Sequence, residues 1–169
     1  RPVVLCDKGS LKTIDGRIGA FCDDTRDAVK GSLMDLNAKG FVNGGGIHAH
    51  KLHHCLTGWS GGYGAFQTPY QTITYLSCHD DWTLWDKLVS TMDEKKRFAG
   101  CQAEILRANR LAAAINFCCQ GRPFFLAGEE FGRTKGGRRP IPPPGRQPLP
   151  APRPPATKPT KETVSLAAP

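Results

Sequence analysis

Residues 71–87, QTITYLSCHDDWTLWDK, constrain the chain more than any other stretch. The run is apolar and β-branched as far as Cys78, then carries His79-Asp80-Asp81, then turns helical. A strand that ends in charged groups and leads straight into a helix puts chemistry at one rim of a parallel sheet. Alternation sends Ile73, Tyr75 and Ser77 to one side and Thr74, Leu76 and Cys78 to the other. Asp81 or Thr83 is the expected cap of a short helix carrying Leu84, Trp85, Leu88 and Val89.

Two further segments repeat the pattern. Residues 17–24, RIGAFCDD, read as a strand buried on both faces that ends in Asp23-Asp24. Asp24 or Thr25 is the expected cap of a helix running to Gly31. Residues 95–120 read as the strongest helix, with Phe98, Cys101, Ile105, Ala108, Ala112, Ile115 and Cys119 on one face. Gly121 and Pro123 stop it. A short apolar strand, residues 123–128, then ends in Glu129-Glu130. In a parallel sheet, strand ends of one polarity lie together, so the three acid pairs are expected at one rim. Residues 32–69 read as long and irregular, with one helix over 47–56.

Composition bears on partners. The chain has 169 residues and a formal charge of +8. Residues 136–169 hold 11 of the 14 prolines, 6 basic residues and one acid, Glu162, so most of the positive charge belongs to that tail. The body has no basic helix face and no Lys/Arg run interleaved with aromatics, so no nucleic-acid partner is expected. Seven cysteines without a CxxC pair read as reduced thiols rather than a disulfide framework. No apolar run approaches the ~20 residues of a membrane span, so no membrane partner is expected. A cytoplasmic location is favoured over secretion, although any signal would precede Arg1.

The candidate site residues each have a competing structural reading. His79 and Asp80 can grip a sugar or a cation, or can be a helix cap and a surface histidine. Glycoside hydrolysis needs two carboxylates, about 5–5.5 Å apart when configuration is retained. Asp23, Asp80 and Glu129 could supply them, or could cap helices and pair with Arg26, Lys87 or Arg133. His48, His50, His53, His54 and Cys55 offer imidazole and thiolate donors. Their glycine-rich surroundings give no rigid frame, so no metal and no cofactor is expected. Trp59, Tyr63, Phe66, Tyr70, Trp82 and Trp85 can stack on sugar rings or pack a helix.

At these residues the chain resembles a known family. ITYLSCHDDWTLWDKLV resembles the seventh-strand region of type I pullulanases, in glycoside hydrolase family 13 of the α-amylase superfamily. RIGAFCDDTRDAVKGS followed by KGFVNG resembles the sixth-strand region, and AAAINFCCQGRPFFLAGEEFGRTK the helix before the eighth strand and that strand. The resemblance covers roughly residues 17–135. It implies an α/β fold, the part of a (β/α)8 TIM barrel around strands six to eight. It also implies an enzyme that hydrolyses α-1,6-glucosidic branch bonds in pullulan, starch or glycogen with retention. By position, Asp80 corresponds to the catalytic carboxylate that steadies the oxocarbenium-like transition state. His79, Asp81 and Trp82 correspond to substrate-binding positions. Asp81 stands where the family usually has Asn, Trp82 where Tyr is common, and Cys22 where Asn is frequent.

The family's nucleophile and acid/base carboxylates belong to strands four and five, and neither motif occurs in residues 1–16. The chain alone is therefore expected not to hydrolyse glycans. Residues 1–16 are expected to be a connection, 17–135 the closing part of the barrel, and 136–169 a disordered Pro/Arg-rich tail, either a frame slip or a genuine linker. Rival readings are another α-glucan hydrolase such as an isoamylase-like debrancher, and a non-catalytic glycan-binding relic with a Pro-rich interaction tail.

Overall fold

The computed structural model describes residues 8–14, 16–46, 49–62, 64–100 and 102–138. Residues 1–7 of the expected connection, His48, Tyr63, Cys101 and the tail from residue 139 lie outside the described residues. Three short strands, β1 (Ala20–Phe21), β2 (Thr72–Thr74) and β3 (Arg122–Pro123), form one parallel sheet in the order β1-β2-β3. Ala20 and Phe21 stand opposite Thr72 and Ile73, and Ile73 and Thr74 opposite Arg122 and Pro123. The ladder runs on beyond the strands: Cys22 N–H donates to Ile73 O at 2.9 Å, and Phe124 N–H to Thr74 O at 2.7 Å. Pro123 has no N–H to give, which suits the edge position of β3.

Parallel neighbours require long crossovers. Helices α1 (Asp23–Lys30) and α2 (Ala49–Leu56) lie between β1 and β2, and α3 (Leu84–Met92) and α4 (Ala103–Cys118) between β2 and β3. The class is α/β, as expected. The described residues form an open sheet edged by β1 and β3 rather than a closed barrel.

Several boundaries differ from the sequence expectation. Cys22, not Asp24 or Thr25, is the N-cap of α1, so Asp23 and Asp24 occupy its first turn instead of a strand tip. Carboxylates there meet the positive end of the helix dipole. The expected strand over 71–78 pairs only at Thr72–Thr74, and that over 123–128 pairs at Arg122–Pro123. The helix expected from residue 95 begins at Ala103. The Asp93 carboxylate explains the delay. It accepts from Arg97 N–H at 2.8 Å, from the Arg97 guanidinium at 3.0 and 3.2 Å, and from Gln102 Nε2 at 3.0 Å. A side chain that captures these donors offers the backbone a turn in place of a helix.

The apolar faces meet as their spacing requires. Leu84, Trp85, Leu88 and Val89 of α3 pack with Ile105, Ala108, Ala112 and Ile115 of α4, Val29 of α1, Cys55 of α2 and Leu76. Full burial of each larger side chain contributes about 1.5–3 kcal/mol. Leu76 enters this core while its neighbour Tyr75 packs edge-on against Phe21 at 4.8 Å, and Phe21 in turn meets Phe124 at 5.3 Å. Leu11, Cys22 and Phe66 form a second, smaller core. Among the described residues no helix is long and apolar enough to cross a membrane.

The stretch read as irregular is pinned by two buried polar side chains. Lys87 donates from Nζ to Ser32 O at 2.8 Å, Asp35 O at 2.7 Å and Leu36 O at 3.2 Å. Asn43 accepts from Gly40 N–H at 2.6 Å and donates to Lys30 O at 3.1 Å and Thr91 Oγ1 at 2.8 Å. Asn43→Ala leaves buried backbone groups without partners, so a loss of about 2–3 kcal/mol is expected in urea denaturation. An unchanged midpoint would mean that this segment holds without Asn43.

Candidate functional site

Asp23 and Glu129, one acid from each of the other two pairs, reach the extension of β2 beyond Thr74. Asp23 Oδ1 accepts from Tyr75 Oη at 2.6 Å. Glu129 accepts from Ser77 Oγ. His79, Asp80 and Asp81 follow. The acids differ in what they are free to do.

Asp23 is engaged by Arg26 Nη1 at 3.0 Å and by Lys8. Burial works to raise its pKa, but the hydrogen bonds from Lys8 and Tyr75 and the Arg26 charge prevail and hold it below the ordinary value. Asp24 moves the other way, raised by burial and by the charges of Asp23 and Asp27. Glu129 is 3% exposed, and burial raises its pKa against the hydrogen bond from Ser77 and the charge of Lys30. Glu130 Oε2 accepts from Gly128 N–H at 2.8 Å. The pairing foreseen between Asp23 and Arg26 is present. Lys87 and Arg133 instead bond backbone carbonyls.

Asp80 is different. It is exposed, as is His79, and among the described residues it takes part in no hydrogen bond or ion pair. The chain bends over residues 79–81, and Asp81 has φ 54°. Asp and Asn are the side chains that best tolerate this left-handed conformation. Lys135 Nζ closes the bend by donating to His79 O at 2.7 Å and Asp81 O at 2.8 Å. Lys135 is itself located by Asp86, fully buried in α3, which accepts from Lys135 N–H at 2.8 Å and from Thr134 Oγ1. Thr83 caps α3 by accepting from Asp86 N–H at 3.1 Å. The link from Asp86 through Lys135 to the bend has no signal in the sequence, because Lys135 lies 49 to 56 positions from the residues it joins.

Trp82 follows the bend but is 6% exposed, edge-on to Phe98 at 6.1 Å. It packs as the competing reading allowed and offers no open stacking face, and Trp85 likewise is in the core at 5%. Among the described residues the most exposed aromatics are Tyr70 and Phe131, both 73% exposed. Phe131 lines a concavity with Ala127, Gly128, Glu130, Gly132, Arg133 and Thr134. The described members of the histidine cluster form no group of metal-type donors. Cys55 is fully buried in the core and its thiol is pushed up to about 11 by burial, while His50 and His53 are exposed on α2. The three described imidazoles meet one another and Trp59 in ring contacts. Among the described residues, the group that brings metal-type donors together is Cys78, His79 and Asp80.

No family model matches the chain. A pullulanase of Bacillus subtilis (strain 168) is 39% identical over 127 residues, 71% of this chain and 16% of that protein. Pullulanase A of Streptococcus pneumoniae is 30% identical over 139 residues, 82% of this chain and 11% of that protein. The backbone resembles a crystal structure of a mutant pullulanase from Paenibacillus barengoltzii complexed with maltotetraose, with a TM-score of 0.70 and 34% identity. That match covers 79% of this chain and 20% of the other. This likeness in sequence and backbone places the parallel α/β segment among the glycoside hydrolases. Within that class the chain is a pullulanase-type segment, spanning between 11% and 16% of the length of these two curated relatives.

Proposed function

We propose that the chain supplies the sugar-gripping rim of a debranching glycoside hydrolase that cleaves α-1,6 bonds of an α-glucan with retention. In this reading β1, β2 and β3 are the sixth, seventh and eighth strands of a (β/α)8 barrel, and the 79–81 bend lies at its active face. Asp80 places a negative charge against the positive charge that develops on the sugar, and fixed electrostatics of this kind are among the largest contributions to catalysis. His79 hydrogen-bonds a hydroxyl of the same sugar. Asp81 shapes the subsite, and Trp82 anchors the bend to the core from below. The observation that carries the reading is the exposed pair His79 and Asp80, the carboxylate unengaged among the described residues, on a bend whose carbonyls are clamped by Lys135. The maltotetraose complex of the structural relative supports an α-glucan as the ligand.

Retention requires a nucleophile and an acid/base as well. Asp23 is tied to Tyr75, Arg26 and Lys8, and Glu129 is buried against Ser77. Neither stands as a second carboxylate beside Asp80, so the chain alone binds glucan without cleaving it. Titration calorimetry with maltotetraose tests this. Asp80→Ala is expected to weaken binding about tenfold, a loss of ~1.4 kcal/mol. Equal affinity in the variant would remove Asp80 from the site. Release of maltotriose from pullulan by the purified chain would overturn the absence of cleavage.

A further inference from the structure

We propose that Cys78, His79 and Asp80 form a binding site for a divalent cation of the zinc type. The donors are a thiol sulfur, an imidazole nitrogen and a carboxylate oxygen, the mixture that zinc and cobalt take up. Magnesium and calcium prefer oxygen throughout and are poor fits. One ligand atom from each residue lies within 4.8 Å of the others, and Cys78 Sγ is 3.3 Å from His79 Nδ1. Bonds of about 2.0–2.3 Å in a tetrahedron place ligand atoms about 3.3–3.8 Å apart. The sulfur and nitrogen are therefore already at coordination spacing, and a rotation of the exposed Asp80 side chain brings in the third.

The convergence is a product of the bend. In an extended strand, neighbouring side chains point to opposite faces and three in a row cannot share an ion. Here pairing ends at Thr74, residues 79–81 bend, and Asp81 turns through the left-handed region. The Lys135 clamp on the carbonyls of His79 and Asp81 holds that shape before any ion arrives. Binding displaces the Cys78 proton to solvent as the sulfur–metal bond forms. Three protein ligands leave one tetrahedral position for water. Resting on the proposed function, a second consequence follows. His79 and Asp80 are the groups offered to the sugar, so cation and glucan exclude each other, and zinc acts as an inhibitor of glucan binding.

Cobalt(II) titration of the reduced 169-residue chain tests the site. One saturable equivalent is expected, with a thiolate-to-cobalt charge-transfer band that zinc abolishes by displacement. Cys78→Ser is expected to lose the band. Asp80→Asn, at an exposed position that leaves the fold intact, is expected to keep it with affinity about tenfold lower. No band at any cobalt concentration up to the millimolar range, or an unchanged band in Cys78→Ser, would overturn the site. Maltotetraose is then titrated with and without saturating zinc. Undiminished glucan binding refutes the exclusion. Absence of glucan binding in metal-free protein refutes the functional reading and leaves the cobalt result standing.

Discussion

Gly31→Ala is expected to lower stability by about 2–6 kcal/mol, a large share of the roughly 5–15 kcal/mol of a domain of ordinary stability. Gly31 closes α1 with φ 88° and ψ 155°, and its N–H donates to Asp27 O at 2.8 Å. That region of backbone space is open essentially to glycine alone and costs other residues about 1–3 kcal/mol. A Cβ would also lie 2.1 Å from Ala38 O and 2.6 Å from Ala38 C. These are backbone atoms and cannot rotate aside, so overpacking adds about 1–3 kcal/mol or more. Gly44 is the control. It has φ 87°, but a Cβ there meets nothing within 4 Å. Gly44→Ala is expected to cost about 1 kcal/mol. Equal urea midpoints for the two variants would show that the approach of residues 31 and 38 does not exist in solution.

Lys30→Met is expected to stabilise the protein at neutral pH and to remove a pH dependence. Lys30 is fully buried, and its Nζ has no hydrogen bond among the described residues. Burial pushes its pKa down from the ordinary 10.5 to about 7, with the nearby Glu129 charge opposing the fall. The folded state therefore binds fewer protons than the unfolded state between pH 7 and 10.5, and stability rises with pH across that window. Below pH 7 the cost of charging Lys30 is present in full, on the order of 5 kcal/mol; above 10.5 it is gone. Replacing Lys30, which has no hydrogen-bond partner for its Nζ among the described residues, with an apolar side chain of similar volume removes that cost. The difference in stability between wild type and Lys30→Met, measured by urea denaturation at pH 6, 8 and 10, should shrink as pH rises. A difference that is constant with pH would place Lys30 in contact with water.

Local pattern accounts for much of what the fold shows. The three- and four-residue spacing of Ile105, Ala108, Ala112, Ile115 and Cys119 is the buried face of α4, and Thr83 caps α3 as its position before Leu84 requires. Element ends were legible only in part. Asp93 holds residues 95–102 out of the helix with a side chain whose partners are not evident from periodicity. Asp23 and Asp24 read as a strand tip because apolarity continues through Cys22, yet Cys22 already caps the helix. The irregular segment after Gly31 was illegible for a related reason. Lys87 and Asn43, which order it, read as ordinary polar residues until their burial is known.

The site divides in the same way. His79 and Asp80, at the end of an apolar run, stand out in the sequence as candidates for chemistry, with a helix cap and a surface histidine as the competing reading. Sequence also determined the α/β class, since helical and extended periods alternate along the chain. Only the tertiary structure decided which acids stay free. Asp23 and Glu129 could each supply a carboxylate or pair with a cation on sequence alone, and folding brings Tyr75 and Arg26 to the first and Ser77 to the second. It also decided that Trp82 packs inward and that Lys135 clamps the bend under His79 and Asp80. The reason is physical: a side chain's type and period are local properties, whereas burial and hydrogen-bond partners depend on residues some fifty positions away.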